Sequence, residues 1–472
     1  MRDLKGYGPI SSDANVKNHR GHSTHVSPIK NEFKASRFNE FLGCLNGKWV
    51  IYNNLSGGLI EVNPHIYDSL LNNRVGDIKN DNQIKSLKYG KFIADQNADE
   101  FKELKVKRNH IADSVKVIGL QILPVTGCNF KCTYCYEGTG AKIERMPAKV
   151  MDDIIKYVKN TIKPTTEHLN ICWFGGEPLL SVDRIEYLSD AFLKLSKDNN
   201  LKYHASIITN GYLLNRRNVD RLQRCGVTTC QVTIDGPAEV HDRRRMLRNG
   251  GKTWQKIIDN LIYAASRSLS IGVRINIDKS NIEYIEPLID DFNKIGLYNK
   301  VQFSLGLVSK FGEVCRSVED TLITIEKAKS ICDRKEWMAL LDSTGKRLIR
   351  PPLALVGCVA SAKNSLVIGK DGELYKCSKT IGDKNEICGN ISNPHFENPN
   401  LRKWLEPDIF SIDTCKKCSM LPTCSGKGCL FDVICRNENI FDCNHKEVRE
   451  KHIGHLISYY HKRALAQKKK ED

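Results

Sequence analysis

Two rhythms of hydrophobic positions alternate along the middle of this chain. Val117-Ile118-Gly119-Leu120-Gln121-Ile122, Leu169-Asn170-Ile171-Cys172-Trp173-Phe174, Ser206-Ile207-Ile208, Cys230-Gln231-Val232-Thr233-Ile234, Val273-Arg274-Ile275-Asn276-Ile277 and Val301-Gln302-Phe303-Ser304 read as short strands. Between them Val150, Ile154, Ile155, Val158 and Ile162, then Ile185, Leu188, Phe192 and Leu195, recur at three- and four-residue spacing, which predicts one-sided helices. Strand–helix alternation over residues 115–308 predicts a parallel α/β sheet. In such folds ligands gather where the strands stop. Gly175-Gly176-Glu177-Pro178, Thr209-Asn210-Gly211 and Asp235-Gly236 all lie at predicted strand ends.

The flanking segments have other patterns. Residues 1–36 are polar and weakly patterned and read as a flexible tail. Residues 37–112 form a small module, with strand-like Trp49-Val50-Ile51-Tyr52 and Leu59-Ile60-Glu61-Val62 around an Asn53–Gly58 turn, and helices from Pro64 to Leu71 and from Ala98 to Val106. The α/β domain spans 113–308, a helical bridge 309–355, and a Cys-rich segment of little periodicity 356–445. From 446 to 472 comes a basic amphipathic helix and tail, marked by Ile453, Leu456, Ile457 and Tyr460. No run reaches the roughly eighteen apolar residues of a membrane span, and Met1–Gly6 opens no apolar leader. A cytoplasmic protein is expected, with no membrane partner.

The formal net charge is +17, which favours acidic partners. The charge is dispersed, with short runs such as Arg243-Arg244-Arg245 and Lys468-Lys469-Lys470, and no RNA-binding motif accompanies it, so most of it reads as solvated surface. The 18 Cys are not dispersed: three fall at 128–135 and nine at 358–443. In a reducing compartment such clusters read as metal sites. Cys44, Cys172, Cys225, Cys230, Cys315 and Cys332 read as small buried apolar residues.

Cys128, Cys132 and Cys135 are separated by three and then two residues. Three thiolates on a 4Fe–4S cubane leave one iron open to a small molecule, whereas structural zinc takes four ligands, usually in C-x₂-C pairs. The spacing, with Tyr134 before the last Cys, resembles the radical S-adenosylmethionine (radical SAM) superfamily. Gly175-Gly176-Glu177-Pro178 resembles that family's GGE motif, and Asp235-Gly236-Pro237 with His241, Asp242 and Arg245 resembles its peptide-modifying members. The resemblance implies a partial (β/α)6 TIM-like barrel and a cluster that binds SAM and cleaves it to a 5′-deoxyadenosyl radical. It also implies SAM contacts: Tyr134 at adenine, Gly175, Gly176, Glu177 and Pro178 around the amino group, Asn210 and Asp235 at strand ends, and Arg245 or Arg274 at the carboxylate. No residue stands out as a general acid or base.

The later cysteines resemble a SPASM domain, which holds two auxiliary clusters and would bring the total to three 4Fe–4S clusters. The resemblance assigns Cys415, Cys418, Cys424 and Cys443 to the outer cluster and Cys358, Cys377 and Cys429 to the inner one. Cys388, Cys435 or an open iron fills the eighth position. Four residues separate Cys424 from Cys429 where the family has three. Because Cys415 and Cys418 form a C-x₂-C pair that also suits zinc, a zinc-binding scaffold is the non-enzymatic alternative.

Sulfatase-maturating enzymes begin almost directly with the Cys triplet, but here over a hundred residues precede it. That module resembles the winged-helix-like modules of ribosomal-peptide (RiPP) maturases, which bind a leader peptide by strand addition. The expected protein is thus a peptide maturase that makes a thioether or carbon–carbon crosslink, or a related modification, in a precursor peptide. Its electron donor is expected to be flavodoxin- or ferredoxin-like. Formylglycine formation on a sulfatase is the nearer alternative, and RNA modification the more distant.

Overall fold

The alternation read from the middle of the chain becomes a sheet. The computed structural model describes residues 32–113, 116–135, 142–308, 358–394, 398–405, 408–424, 431 and 445–471. It divides into one unit drawn from 1–112, 348–359 and 407–472 and another from 113–347 and 360–406. The expected bridge over 309–355 lies outside the described residues, as do Cys315, Cys332, Cys429, Cys435 and Cys443.

In the first unit β1 (Phe33–Ala35) pairs antiparallel with β5 (Ile93–Asp95), and β2 (Asn39–Leu45), β3 (Lys48–Asn53) and β4 (Gly58–Val62) form an antiparallel sheet. Helices α1 (Pro64–Leu71), α2 (Asp81–Tyr89) and α3 (Glu100–Ala112) follow. β1 lies within the stretch that the sequence reads as tail. Phe33 and Ala35 pack on the nearby core, and the Ser36 hydroxyl donates to Glu100 at 2.6 Å. Asn53 closes the β3–β4 turn, since its Oδ1 accepts from Leu55 and Ser56 N–H at 3.1 and 2.9 Å.

Strand alternation splits β3 between two cores. Ile51 packs against Ile66, Tyr67 and Leu70 of α1, while Val50 and Tyr52 face Leu456 and Tyr460 of the C-terminal helix His445–Glu471. This sheet is therefore covered on both faces. Polar ties accompany the packing: fully buried Glu40 accepts from Ser419 and, at 3.2 Å, from Arg449, and the Tyr460 hydroxyl donates to Glu61 at 3.0 Å.

The second unit holds a sheet whose strand order, among the described residues, is β13-β12-β11-β10-β9-β6-β14-β15-β16. Six of them run parallel in chain order: β6 (Val117–Ile122), β9 (His168–Trp173), β10 (Lys202–Thr209), β11 (Val227–Thr233), β12 (Ser270–Ile277) and β13 (Val301–Leu307). Helices α4 (Ala148–Thr161), α5 (Val182–Asp198), α6 (Arg216–Arg224), α8 (Trp254–Ala265) and α9 (Ile285–Lys294) connect them, with short α7 (Ala238–Arg244) before α8. This is the expected radical-SAM-type partial barrel. Ile118, Leu120, Ile122, Leu169, Ile171, Trp173, Ile207, Val232, Val273 and Ile275 share one buried core with Ile154, Val158, Leu188, Phe192, Leu261 and Leu288 of the helices. The alternate positions Gln121, Cys172, Ser206, Gln231 and Arg274 lie on the opposite, less buried face.

Two small additions complete the sheet region. β7 (Val125–Thr126) and β8 (Glu144–Arg145) pair antiparallel on either side of the Cys triplet in the chain. β14 (Ser365–Ile368) extends the barrel sheet by pairing parallel with β6, from Ser365 opposite Gly119 to Ile368 opposite Ile122, and β15 (Glu373–Tyr375) and β16 (Gly389–Asn390) continue it antiparallel. The Cys-rich segment, of little periodicity in the sequence, thus contributes three short strands. Among the described residues no helix is long and apolar enough to cross a membrane.

The two-sided burial of the small sheet gives a prediction. Leu456→Ala removes a fully buried side chain and should cost about 2–5 kcal/mol, read as a lower denaturant midpoint with earlier hydrogen exchange in β3. A loss below about 0.5 kcal/mol, the range of an ordinary surface change, would show that the helix does not depend on this contact.

Candidate metal and cofactor site

Cys128, Cys132 and Cys135 lie on the loop that follows β7, itself two residues beyond the end of β6. A neighbouring segment fixes this loop by backbone pairing. Lys131 N–H donates to the Met246 carbonyl at 2.8 Å, Thr133 N–H to Arg244 at 3.0 Å and Arg248 N–H to Asn129 at 3.0 Å, and Phe130 bridges Leu247. These contacts share one antiparallel register, which sets Arg245 opposite Cys132. Cys128 Sγ receives two donors, Phe130 N–H at 3.3 Å and Asn210 Nδ2 at 3.5 Å.

The glycine turn after β9 touches the same loop. Gly175 has φ +125°, a region that side chains avoid. A Cβ on Gly176 would stand 1.9 Å from the Gly127 carbonyl oxygen, so only glycine lets the two backbones approach. Glu177 is fully buried. Its carboxylate accepts from Leu179 N–H (3.0 Å), the Thr209 hydroxyl (2.7 Å) and Asn210 N–H (2.7 Å). Glu177, expected as an acceptor for an ammonium group, thus acts within the chain as a clasp between the ends of β9 and β10. A buried carboxylate must find donors, and these strand ends supply them. Pro178 starts the one-turn helix that Glu177 caps.

The remaining expected residues gather at the ends of β11 and β12. Fully buried Asp235 accepts from Asn276 N–H at 2.9 Å and from the Tyr134 hydroxyl. Arg245 donates to the same hydroxyl at 2.6 Å, and Asn276 at 3.3 Å. Tyr134 thus turns its hydroxyl inward; the position expected at adenine is anchored by polar bonds. Arg274 joins the edge of this group, its Nε donating to Asn276 Oδ1 at 3.1 Å.

Sequence reasoning missed several members. Asp278 takes Arg244 on both oxygens at 2.8 Å, Asn129 accepts from Asn210 at 2.8 Å, and Thr209 supports Glu177. Asp278 and Thr209 were findable by the strand-end rule used for Asn210 and Asp235. The pairing of residues 244–248 with the Cys loop left no signal, because the partners are over a hundred residues apart.

Burial governs the electrostatics. It raises the Cys128 thiol to about 12, with the Glu177 carboxylate adding to the rise. Cys132 is raised by burial too, against the pull of Arg245. Burial also raises Glu177, its donors only partly offsetting it, and burial together with the two arginines holds His241 neutral, well below its usual value. Thiols this reluctant to ionise become thiolates only beside a metal. The donor set fits an iron–sulfur cluster: soft sulfurs, N–H groups aimed at Cys128 Sγ, and a buried Arg245 Nε with no acceptor.

Of the auxiliary cysteines, Cys415, Cys418 and Cys424 lie in the first unit, where burial raises Cys418 to about 11 and the charges of Cys424 and Cys415 add to it. Cys358 belongs to that unit as well, and Cys377 and Cys388 to the second. Cys388 is buried and donates toward the Glu386 carbonyl at 3.5 Å.

One prediction concerns the glycine contact. Gly176→Ala should destabilise the protein by about 1–3 kcal/mol, as overpacking does, measured by denaturant unfolding without iron. Stability equal to wild type would mean that the contact relaxes freely.

Residues 122–292 match the profile of the radical SAM superfamily. The radical SAM cyclopropyl synthase TigE of Paramaledivibacter caminithermalis is 22% identical over 51% of this chain and 56% of its own length. The Cysteine-type anaerobic sulfatase-maturating enzyme of Clostridium perfringens strain 13 is 21% identical over 66% of this chain and 88% of its own. The chain spans about half the length of some curated relatives it matches, 44% and 56% in two cases. The solved structure of native anSMEcpe with bound AdoMet and Cp18Cys peptide superposes with a TM-score of 0.55, at 20% identity, over 75% of this chain and 99% of that one. With the barrel and the Cys triplet in agreement with this match, residues 122–292 carry a radical SAM domain.

Proposed function

We propose that this chain is a peptide maturase that uses SAM and iron–sulfur clusters to crosslink or otherwise modify a ribosomally made precursor. The observation that carries the reading is the meeting of the Cys128–Cys135 loop with the Gly175–Glu177 turn: Gly176 packs on Gly127, and Asn210 joins Cys128 to the Glu177 clasp. A sulfatase-maturating relative, and a structural neighbour solved with a bound Cp18Cys peptide, support the substrate class. When bound, the cluster and SAM together supply one-electron cleavage of the sulfonium, giving a radical that removes hydrogen from an unactivated carbon.

The protein's part is to hold and shield. Cys128, Cys132 and Cys135 would hold the cluster, and Asn210 and Phe130 N–H would donate to the sulfur of Cys128. The Gly175–Pro178 turn would bring backbone to the SAM amino group, with Asn210, Asp235 and Tyr134 shaping the strand-end rim. Arg245, or Arg274 in its place, would meet the carboxylate. The buried setting excludes water from the reacting carbon. Cys415, Cys418, Cys424 and Cys443, with Cys358, Cys377, Cys429 and Cys388 or Cys435, would hold two auxiliary clusters. Clusters held there would supply a one-electron acceptor for bond formation after hydrogen loss. The small antiparallel sheet of the first unit would receive the leader peptide along an edge strand, and a flavodoxin- or ferredoxin-like carrier would reduce the triplet cluster.

Formylglycine formation is the second reading, favoured by the 88% coverage of the sulfatase-maturating enzyme. Coexpression with short peptides encoded beside the gene, followed by mass spectrometry, separates the two. A linked peptide supports the first reading, and an aldehyde at a sulfatase Cys or Ser supports the second.

Changing Cys128, Cys132 and Cys135 together to Ala should reduce 5′-deoxyadenosine formation under strong reductant to background in reconstituted protein. Persistent formation would refute the cluster assignment. Changing Cys415 and Cys418 to Ala should preserve that cleavage and abolish the modified peptide. A peptide still fully modified would show that the auxiliary centre is dispensable.

A further inference from the structure

We propose that Arg245 is a positioning residue for the triplet cluster: opposite Cys132 in the loop pairing, it donates its spare Nε–H to sulfur there and raises the cluster's reduction potential. The inference rests on the cluster reading above and adds a role that no sequence motif assigns.

Three observations converge on it. The hydrogen bonds from Lys131 to Met246, from Thr133 to Arg244 and from Arg248 to Asn129 fix one register, and that register sets Arg245 against Cys132. The guanidinium is buried and held: it is 7% exposed, donates to the Tyr134 hydroxyl at 2.6 Å, and lies 5.8 Å from the Phe130 ring centroid and 5.9 Å from that of Tyr134. Its Nε nevertheless has no acceptor. Leaving a buried donor unpaired is unfavourable, and a sulfur acceptor at Cys132 would satisfy it.

The neighbouring arginine is used differently. Arg244 places one nitrogen 2.8 Å from both oxygens of Asp278, and so balances an acid of its own. Arg245 shares Asp235 only indirectly, through Tyr134. Its positive charge is therefore available to the sulfur side. A cluster gains one negative charge on reduction. A buried guanidinium beside it favours the reduced form, and an N–H···S bond does the same, since net charge and hydrogen bonds to sulfur both set such potentials.

The test is an anaerobic redox titration of reconstituted full-length wild type, Arg245→Gln and Arg245→Lys, with iron and sulfide counted. The reading is taken at the electron paramagnetic resonance signal that disappears when the three triplet cysteines are changed to Ala. At a fixed poise the ratio of reduced to oxidised cluster in Arg245→Gln should fall about tenfold, a midpoint lower by ~59 mV for a one-electron couple. Arg245→Lys, which keeps charge but loses the planar donor, should fall in the same direction by less. An unchanged midpoint in iron-loaded Arg245→Gln overturns the proposal. Should that variant fail to load iron, an unchanged midpoint in Arg245→Lys overturns it instead. A wild type without any triplet signal would refute the cluster reading itself, a distinct failure.

Discussion

The site depends on the need of buried carboxylates for donors. Glu177 and Asp235 are both fully buried, and each is satisfied by groups from other strand ends. Glu177 takes Thr209 and Asn210 from the end of β10, and Asp235 takes Asn276 from the end of β12. A charge withdrawn from water without such partners would be very unfavourable. The strand ends are thus fixed in relation to one another, and the Cys loop is fixed to them through Asn210 and Tyr134.

Charge balance extends the same constraint. Arg244 and Arg245 are nearly as buried as the acids they face. Removing one partner of such a pair leaves an uncompensated charge, which costs about 3–5 kcal/mol. The group therefore behaves as a single network of Tyr134, Asp235, Arg244, Arg245, Asn276 and Asp278, and His241 stays neutral beside it. The formal net charge of +17 has little part in this. The charges that shape the site are few, buried and close to balance.

The first unit follows a different logic. Its sheet has an apolar side on each face, and β3 contributes Ile51 to one core and Val50 and Tyr52 to the other. A small sheet gains stability when both faces are covered, because three strands alone bury little. The helix that covers one face is supplied by the end of the chain, some four hundred residues away in sequence. Glu40, Asn54 and Glu61 meet Arg449, His452 and Tyr460 across that contact.

The sequence alone determined the repeating strand and helix elements of the barrel, because period and burial are local and six strands repeat the same message. It also determined the Cys triplet and the glycine turn, since spacing along a loop limits which atoms reach one centre. Only the tertiary structure decided that Glu177 clasps two strands, that β14 joins the barrel sheet, and that Arg245 stands opposite Cys132. Those are pairings between segments separated by one or more intervening elements, set by register and by the need to satisfy buried polar groups, and no local pattern encodes such a partner.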